Sequence, residues 1–258
     1  MDKIKLLIEK SQKLFDENKA NVHFTDDKEQ NDFLNDLEKY PHAFVLACLM
    51  DRQIKAERAW AIPYKIYKEI GDFDIYKLKE KKEKYYRKLF NEKKFHRFND
   101  KFSKIFYEGV CHIIDKYEGK ANKIWENKPS SATVVYRFLE FEGCGIKIAT
   151  MSANILARQF KIPMSDYYSI DISPDVHIRR VLYRLGFIER EAEIDMVIYK
   201  ARELNPEFPG LIDFVCWKIG REYCKSKIKD CGDCFMDKVC PSSKRMQKSK
   251  ELFIKQES

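Results

Sequence analysis

The sequence predicts an all-α protein. Glycine and proline are scarce, at 9 and 8 in 258 residues. Lysine, glutamate and isoleucine are abundant, and no clear run alternates apolar and polar positions as a half-buried strand would. Together these leave helices as the material of the fold.

The elements follow in order. Residues 1–18 place Ile4, Leu6, Leu7, Ile8, Leu14 and Phe15 at helical spacing among charges. A polar stretch from His23 to Gln30 separates this helix from the next. Pro41 opens an apolar segment, Phe44 to Met50, that reads as a buried helix with proline in its first turn. Residues 78–104 are strongly basic, with Phe and Tyr interleaved, so one face can pack while the other meets water or phosphate. Pro129-Ser130-Ser131 marks a helix start, with Val134, Val135, Phe138 and Leu139 as its apolar stripe. Gly143-Cys144-Gly145 interrupts it, and a second apolar helix runs from about Ile146 to Arg158. Helix, tight Gly-x-Gly turn and helix make a hairpin. Its glycines permit positive φ and close backbone approach, and the second helix starts with free N–H groups, an arrangement that can hold one phosphate without reading sequence. Ser173-Pro174-Asp175 reads as an N-cap, a proline at the first helical position and an acid in the first turn.

Composition narrows the function classes. No apolar run reaches the roughly 18–20 residues that a membrane span needs, and Met1-Asp2-Lys3 does not open a secretory signal. We therefore expect an intracellular protein without a membrane partner, cytoplasmic and nucleoid-associated if the source is a prokaryote. The net charge of +8 favours a polyanion. In a reducing compartment clustered cysteines indicate metal rather than disulfides.

Cys224, Cys231, Cys234 and Cys240 are spaced C-x6-C-x2-C-x5-C. Four thiolates in a short loop can hold an iron–sulfur cluster, with zinc as the competing occupant. Only Cys231 and Cys234 form the tight pair usual for zinc, and the wider gaps suit a cubane with spread corners. Cys48, Cys111, Cys144 and Cys216 are scattered in apolar settings and read as core.

Three elements then stand in order: the hairpin Glu142-Gly143-Cys144-Gly145-Ile146-Lys147, the segment Asp175-Val176-His177-Ile178-Arg179-Arg180-Val181-Leu182-Tyr183-Arg184-Leu185-Gly186, and the cysteine loop. Over roughly residues 40–241 they resemble the helix-hairpin-helix DNA glycosylases, most closely the endonuclease III branch. The resemblance implies two helical domains flanking a DNA groove. One is a six-helix barrel over residues 39–165 that contains the hairpin. The other, over 166–258, carries the cluster, and helices in 1–38 pack upon it. It further implies that Lys147 and Asp175 are catalytic, that Gln53 fills the gap left by an extruded base, and that a 4Fe–4S cluster sits on Cys224, Cys231, Cys234 and Cys240. The partner would be double-stranded DNA with a damaged base or abasic site, bound by a monomer.

The chemistry is consistent with these residue types. Extruding a base costs a few kcal/mol, least for a damaged one. A carboxylate at Asp175 can stabilise the positive charge that the sugar gains as the base leaves. An uncharged Lys147 amine can attack C1′, and the resulting Schiff base breaks the strand by β-elimination. Gly143 and Gly145 would contact phosphate, as would Lys225, Lys227 and Lys229 between the first two cysteines, although three solvated lysines are an equal reading. His177 reads as structural, and Arg180 and Arg184 as holding acids or carbonyls rather than DNA. The chain departs from the family where Phe141-Glu142 replaces the usual Leu-Pro before the hairpin, and where Pro174 and Val176 flank the aspartate. Two further readings stay open: a non-catalytic protein that binds DNA damage or structure on the same fold, and a glycosylase that uses water alone.

Overall fold

The computed structural model describes residues 2–17, 22–226 and 230–244. Among them are thirteen α-helices and three short 3-10 turns. In chain order the helices are α1 (Lys3–Asp16), α2 (Lys28–Asn35), α3 (Pro41–Met50), α4 (Ala56–Trp60), α5 (Ile62–Ile70), α6 (Ile75–Glu80), α7 (Lys82–Lys93), α8 (Asn99–Tyr117), α9 (Ser131–Leu139), α10 (Ile146–Arg158), α11 (Val176–Arg184), α12 (Ile194–Leu204) and α13 (Asp213–Glu222). No helix among the described residues is long and apolar enough to cross a membrane. The chain divides into two compact units, one of residues 19–165 and the other of residues 1–18 with 166–258.

In the unit of residues 19–165, α3 is the centre. Every one of its positions is buried, as expected of a helix that is apolar all round. It packs against α8, α4, α5, α2 and α10, and Pro41 stands in its first turn as its sequence predicts. The basic segment forms the end of α6, all of α7 and the start of α8. Tyr86, Leu89 and Phe90 turn inward, while Lys79–Asp115, Arg87–Glu83, Lys88–Glu92, Lys93–Glu69 and Lys104–Glu108 pair at the surface. Part of that charge is thus matched by acids on the same or neighbouring helices.

Helix α2 belongs to this unit, so the first boundary falls near residue 18 instead of residue 38. Phe33 on α2 lies against the rings of Tyr40, Tyr64, Tyr67 and Phe73. The polar stretch before it is no loose linker, because the Asn31 side chain accepts hydrogen bonds from the N–H groups of Phe24 and Thr25. Offset and edge-on aromatic contacts of this kind each add about 0.5–1.5 kcal/mol beyond burial.

In the other unit α11 packs along α13, and α1 lies against α13 and the 3-10 turn Pro209–Ile212. Gly220 lets α11 and α13 approach closely, since a Cβ there would stand 2.8 Å from the His177 Cβ. Lys3 Nζ donates to the Leu185 carbonyl at 2.7 Å, satisfying an acceptor at the C-terminus of α11 where a cation is favoured. Arg202 grips the buried Asp171 through two hydrogen bonds of 2.8 and 2.9 Å. Cys48 and Cys216 are fully buried and Cys144 nearly so. Burial pushes the Cys144 thiol up to about 12, as befits core packing rather than reactivity.

Candidate functional site

The hairpin consists of α9, a turn and α10. Ser130 caps α9 by accepting the Thr133 N–H. Gly143 has φ +75° in the turn, a left-handed conformation that favours glycine, and Ile105 of α8 stands 2.8 Å from where its Cβ would be. Gly145 differs. Its φ is −99° and a Cβ there would meet nothing within 4 Å, so neither conformation nor internal packing requires glycine.

The N–H groups of Ile148 and Ala149 return to the Gly145 carbonyl. Those of Gly145, Ile146 and Lys147 stand ahead of them, where a helix start leaves donors without helical acceptors. Lys147 is in this first turn and half-buried, and no acid among the described residues pairs with its amine. The exposed Glu142 lies in the hairpin turn ahead of α10.

Gln53 lies in the loop between α3 and α4. It is exposed and has φ +59°, an uncommon conformation for a residue other than glycine. Its neighbour Arg52 reaches across to donate through Nη1 to the Gly143 carbonyl. Sequence reasoning missed this contact, although the cation adjoins the wedge candidate in the chain.

Asp175, in the other unit, is the N-cap of α11. Its Oδ1 accepts from the N–H groups of His177 and Ile178, both at 2.8 Å. Its second oxygen takes no hydrogen bond among the described residues. The expected cap at Ser173 is therefore corrected. The Ser173 N–H donates to buried Asp213 at 2.6 Å and its hydroxyl bonds to the same carboxylate. This leaves Asp175 as the side chain that meets the helix start and puts Pro174 outside the helix. The helix dipole still favours an anion here.

The arginines of α11 hold the cysteine loop. Arg180 donates to the carbonyls of Cys224 and Gly220 and to His177 Nδ1, at 2.7, 2.8 and 2.8 Å. Arg184 donates to Cys224 Sγ at 3.1 Å and to the carbonyls of Lys225 and Ser226. Both arginines thus bind carbonyls, and His177 is a structural acceptor. Cys224, Cys231, Cys234 and Cys240 all line one cavity of about 30 Å³ beneath Arg184.

Burial raises the Cys234 thiol to about 11, with the other three cysteines adding to the rise, and burial likewise raises Cys240. A cationic iron or zinc centre would reverse that preference by binding thiolates. Among the described residues no group of three His, Cys, Asp or Glu side chains is arranged as a site for a single ion. Lys225 is exposed; Lys227 and Lys229 lie outside the described residues. A wider concavity of about 620 Å³ beside this loop is lined by Arg179, Arg180, Arg184 and Arg190, with no acid on its wall among the described residues.

No family profile matches the chain and no curated protein matches it. Solved structures do. A non-covalent endonuclease III–DNA complex matches with a TM-score of 0.64 at 16% identity, over 96% of this chain and 99% of that one. A trapped endonuclease III–DNA covalent intermediate with an estranged adenine matches at 0.63 and 16%, with the same coverage. A thermostable thymine-DNA glycosylase matches at 0.63 and 13%, over 94% of this chain and 97% of that one. The chain therefore has the all-helical fold of the helix-hairpin-helix DNA glycosylases across nearly its whole length.

Proposed function

We propose that this protein is a DNA base-excision glycosylase with abasic-site lyase activity. The observation that carries the reading is a hairpin whose approachable Gly145 and open helix start present Lys147, in a chain with the fold of endonuclease III. A backbone phosphate at the hairpin would receive N–H groups and a helix dipole. The exposed Gln53 would fill the gap left by the extruded base. Lys147 would attack C1′ as an uncharged amine, the C1′–base bond would break as the base leaves, and the Schiff base so formed would permit β-elimination of the 3′ strand. Asp175, with one oxygen engaged at its cap and one open, would stabilise the positive charge on the sugar. Lys225 would add a phosphate contact, contributing about 0.9 to the salt slope of duplex binding.

A 4Fe–4S cluster on Cys224, Cys231, Cys234 and Cys240 would supply structure, because four thiolates leave no open position for an activated water. The purified protein is expected to be brown and to contain about four irons per chain. A colourless protein with one zinc would contradict the cluster.

Cleavage of an abasic-site duplex tests the enzyme reading. Wild type is expected to break the strand, Lys147→Ala to lose at least about 10²-fold of that rate, and an exposed control, Lys82→Ala, to keep it. Binding of the same duplex without any cleavage would leave the non-catalytic reading. On a duplex that carries a damaged base, base release that survives Lys147→Ala would mean a water-using glycosylase.

A further inference from the structure

The loop that carries Gln53 is held from two sides. In front, Arg52 donates to the Gly143 carbonyl in the hairpin turn, a contact 91 positions away in sequence. Behind, the Arg52 carbonyl accepts a hydrogen bond from His96 Nε2 at 3.0 Å. His96 lies in the turn between α7 and α8, within the basic segment. Its other nitrogen, Nδ1, accepts the Phe98 N–H at 3.1 Å. Nδ1 therefore carries no proton and Nε2 must be the donor. Burial keeps this ring neutral, with its pKa lowered to about 4, and the ring stacks on Phe102 at 3.6 Å. A second tie, from Arg58 to the carbonyls of Lys94 and Phe95, fastens the same turn to α4.

These contacts meet at one residue. Arg52 uses its side chain on the hairpin and its backbone on His96, and the next residue is Gln53 at φ +59°. An exposed glutamine in that conformation is strained and persists only where its surroundings over-determine it. Arg52 and His96 contribute to that determination, beside the Arg52 N–H bond to the Met50 carbonyl. The carbonyl that Arg52 holds belongs to Gly143, whose φ of +75° shapes the hairpin turn.

We infer that Arg52, backed by His96, is a positioning residue that couples the Gln53 loop to the hairpin, so that gripping a phosphate at the turn and filling the helix at Gln53 occur in one fixed register. This rests on the reading of Gln53 and the hairpin given under the proposed function. It adds that discrimination between abasic and intact DNA depends on a residue that touches neither the sugar nor the missing base. It also gives part of the basic segment a role: His96 braces the loop from behind, whatever the lysines around it do.

The test is a mutant cycle on two duplexes, one intact and one with a stable abasic-site analogue, with 2-aminopurine beside the analogue to report unstacking. Wild type is expected to prefer the abasic duplex. Arg52→Ala should cut that preference about tenfold and shrink the 2-aminopurine signal, while affinity for the intact duplex stays within about twofold. Arg52→Lys, which keeps the charge, should retain part of the preference. In a Gln53→Ala background, Arg52→Ala should add nothing. Thermal melts of each variant report folding, and Arg52→Lys keeps the test open if the alanine variant melts early.

The inference is overturned if Arg52→Ala leaves the preference unchanged, weakens both duplexes equally, or acts undiminished without Gln53. A wild-type protein with no preference for the abasic duplex would refute the lesion-recognition reading itself, and this inference with it.

Discussion

Replacing Asp175 with asparagine is expected to lower strand cleavage by about 10²-fold or more while leaving the fold intact, because charge and cap can be separated at this position. On the proposed function the carboxylate would have two tasks. One oxygen satisfies the His177 and Ile178 N–H groups at the start of α11, and asparagine performs that task about as well as aspartate. The other oxygen takes no hydrogen bond among the described residues and is the part available to a cationic sugar. Asp175→Asn should therefore unfold within about 0.5 kcal/mol of wild type, whereas Asp175→Ala should lose the cap as well, at about 1 kcal/mol. Activity assays beside denaturant titrations decide the matter. If Asp175→Asn cleaves at the wild-type rate, the residue is only a helix cap, which is the plainer account of any acid at this position.

Gly145→Ala should produce the opposite of an ordinary damaging substitution: an equal or more stable protein that binds DNA worse. At φ −99°, with no atom within 4 Å of the new Cβ, alanine fits without strain. Removing glycine then stabilises by about 0.4–1 kcal/mol through the unfolded chain. If a phosphate approaches the N–H groups of this turn, the added methyl stands in its way, and duplex affinity should fall about tenfold or more, most visibly at low salt. Gly143→Ala would not be informative in this way, since its positive φ and the contact with Ile105 disturb the fold as well. Unchanged affinity in a folded Gly145→Ala protein would remove the hairpin from the DNA surface.

What was legible in the sequence is what short spacing encodes. The bounds of α10, the buried α3 and the start of α9 follow from apolar periodicity, a proline and a capping serine, all within a few residues. The cysteine pattern is local too, and its four members do line one cavity. The carbonyl-binding roles of Arg180 and Arg184 could be expected because the two stand one turn apart on one helix.

Partners chosen by packing at long range were not legible. Nothing near Ser173 announces that Asp213, 40 positions on, will engage it and pass the cap to Asp175. Nothing near Arg52 announces Gly143 or His96. Likewise α2 reads as one more N-terminal helix until Phe33 finds four aromatic rings from residues 40–73.

The proposed function stands on Lys147 as the nucleophile, with Asp175 supporting its attack. Borohydride reduction of wild type with an abasic-site duplex, followed by digestion and mass spectrometry of the trapped peptide, tests it most directly. The account predicts an adduct on Lys147 that forms much more slowly in Asp175→Asn. An adduct on another lysine, or trapping indifferent to Asp175, would contradict it.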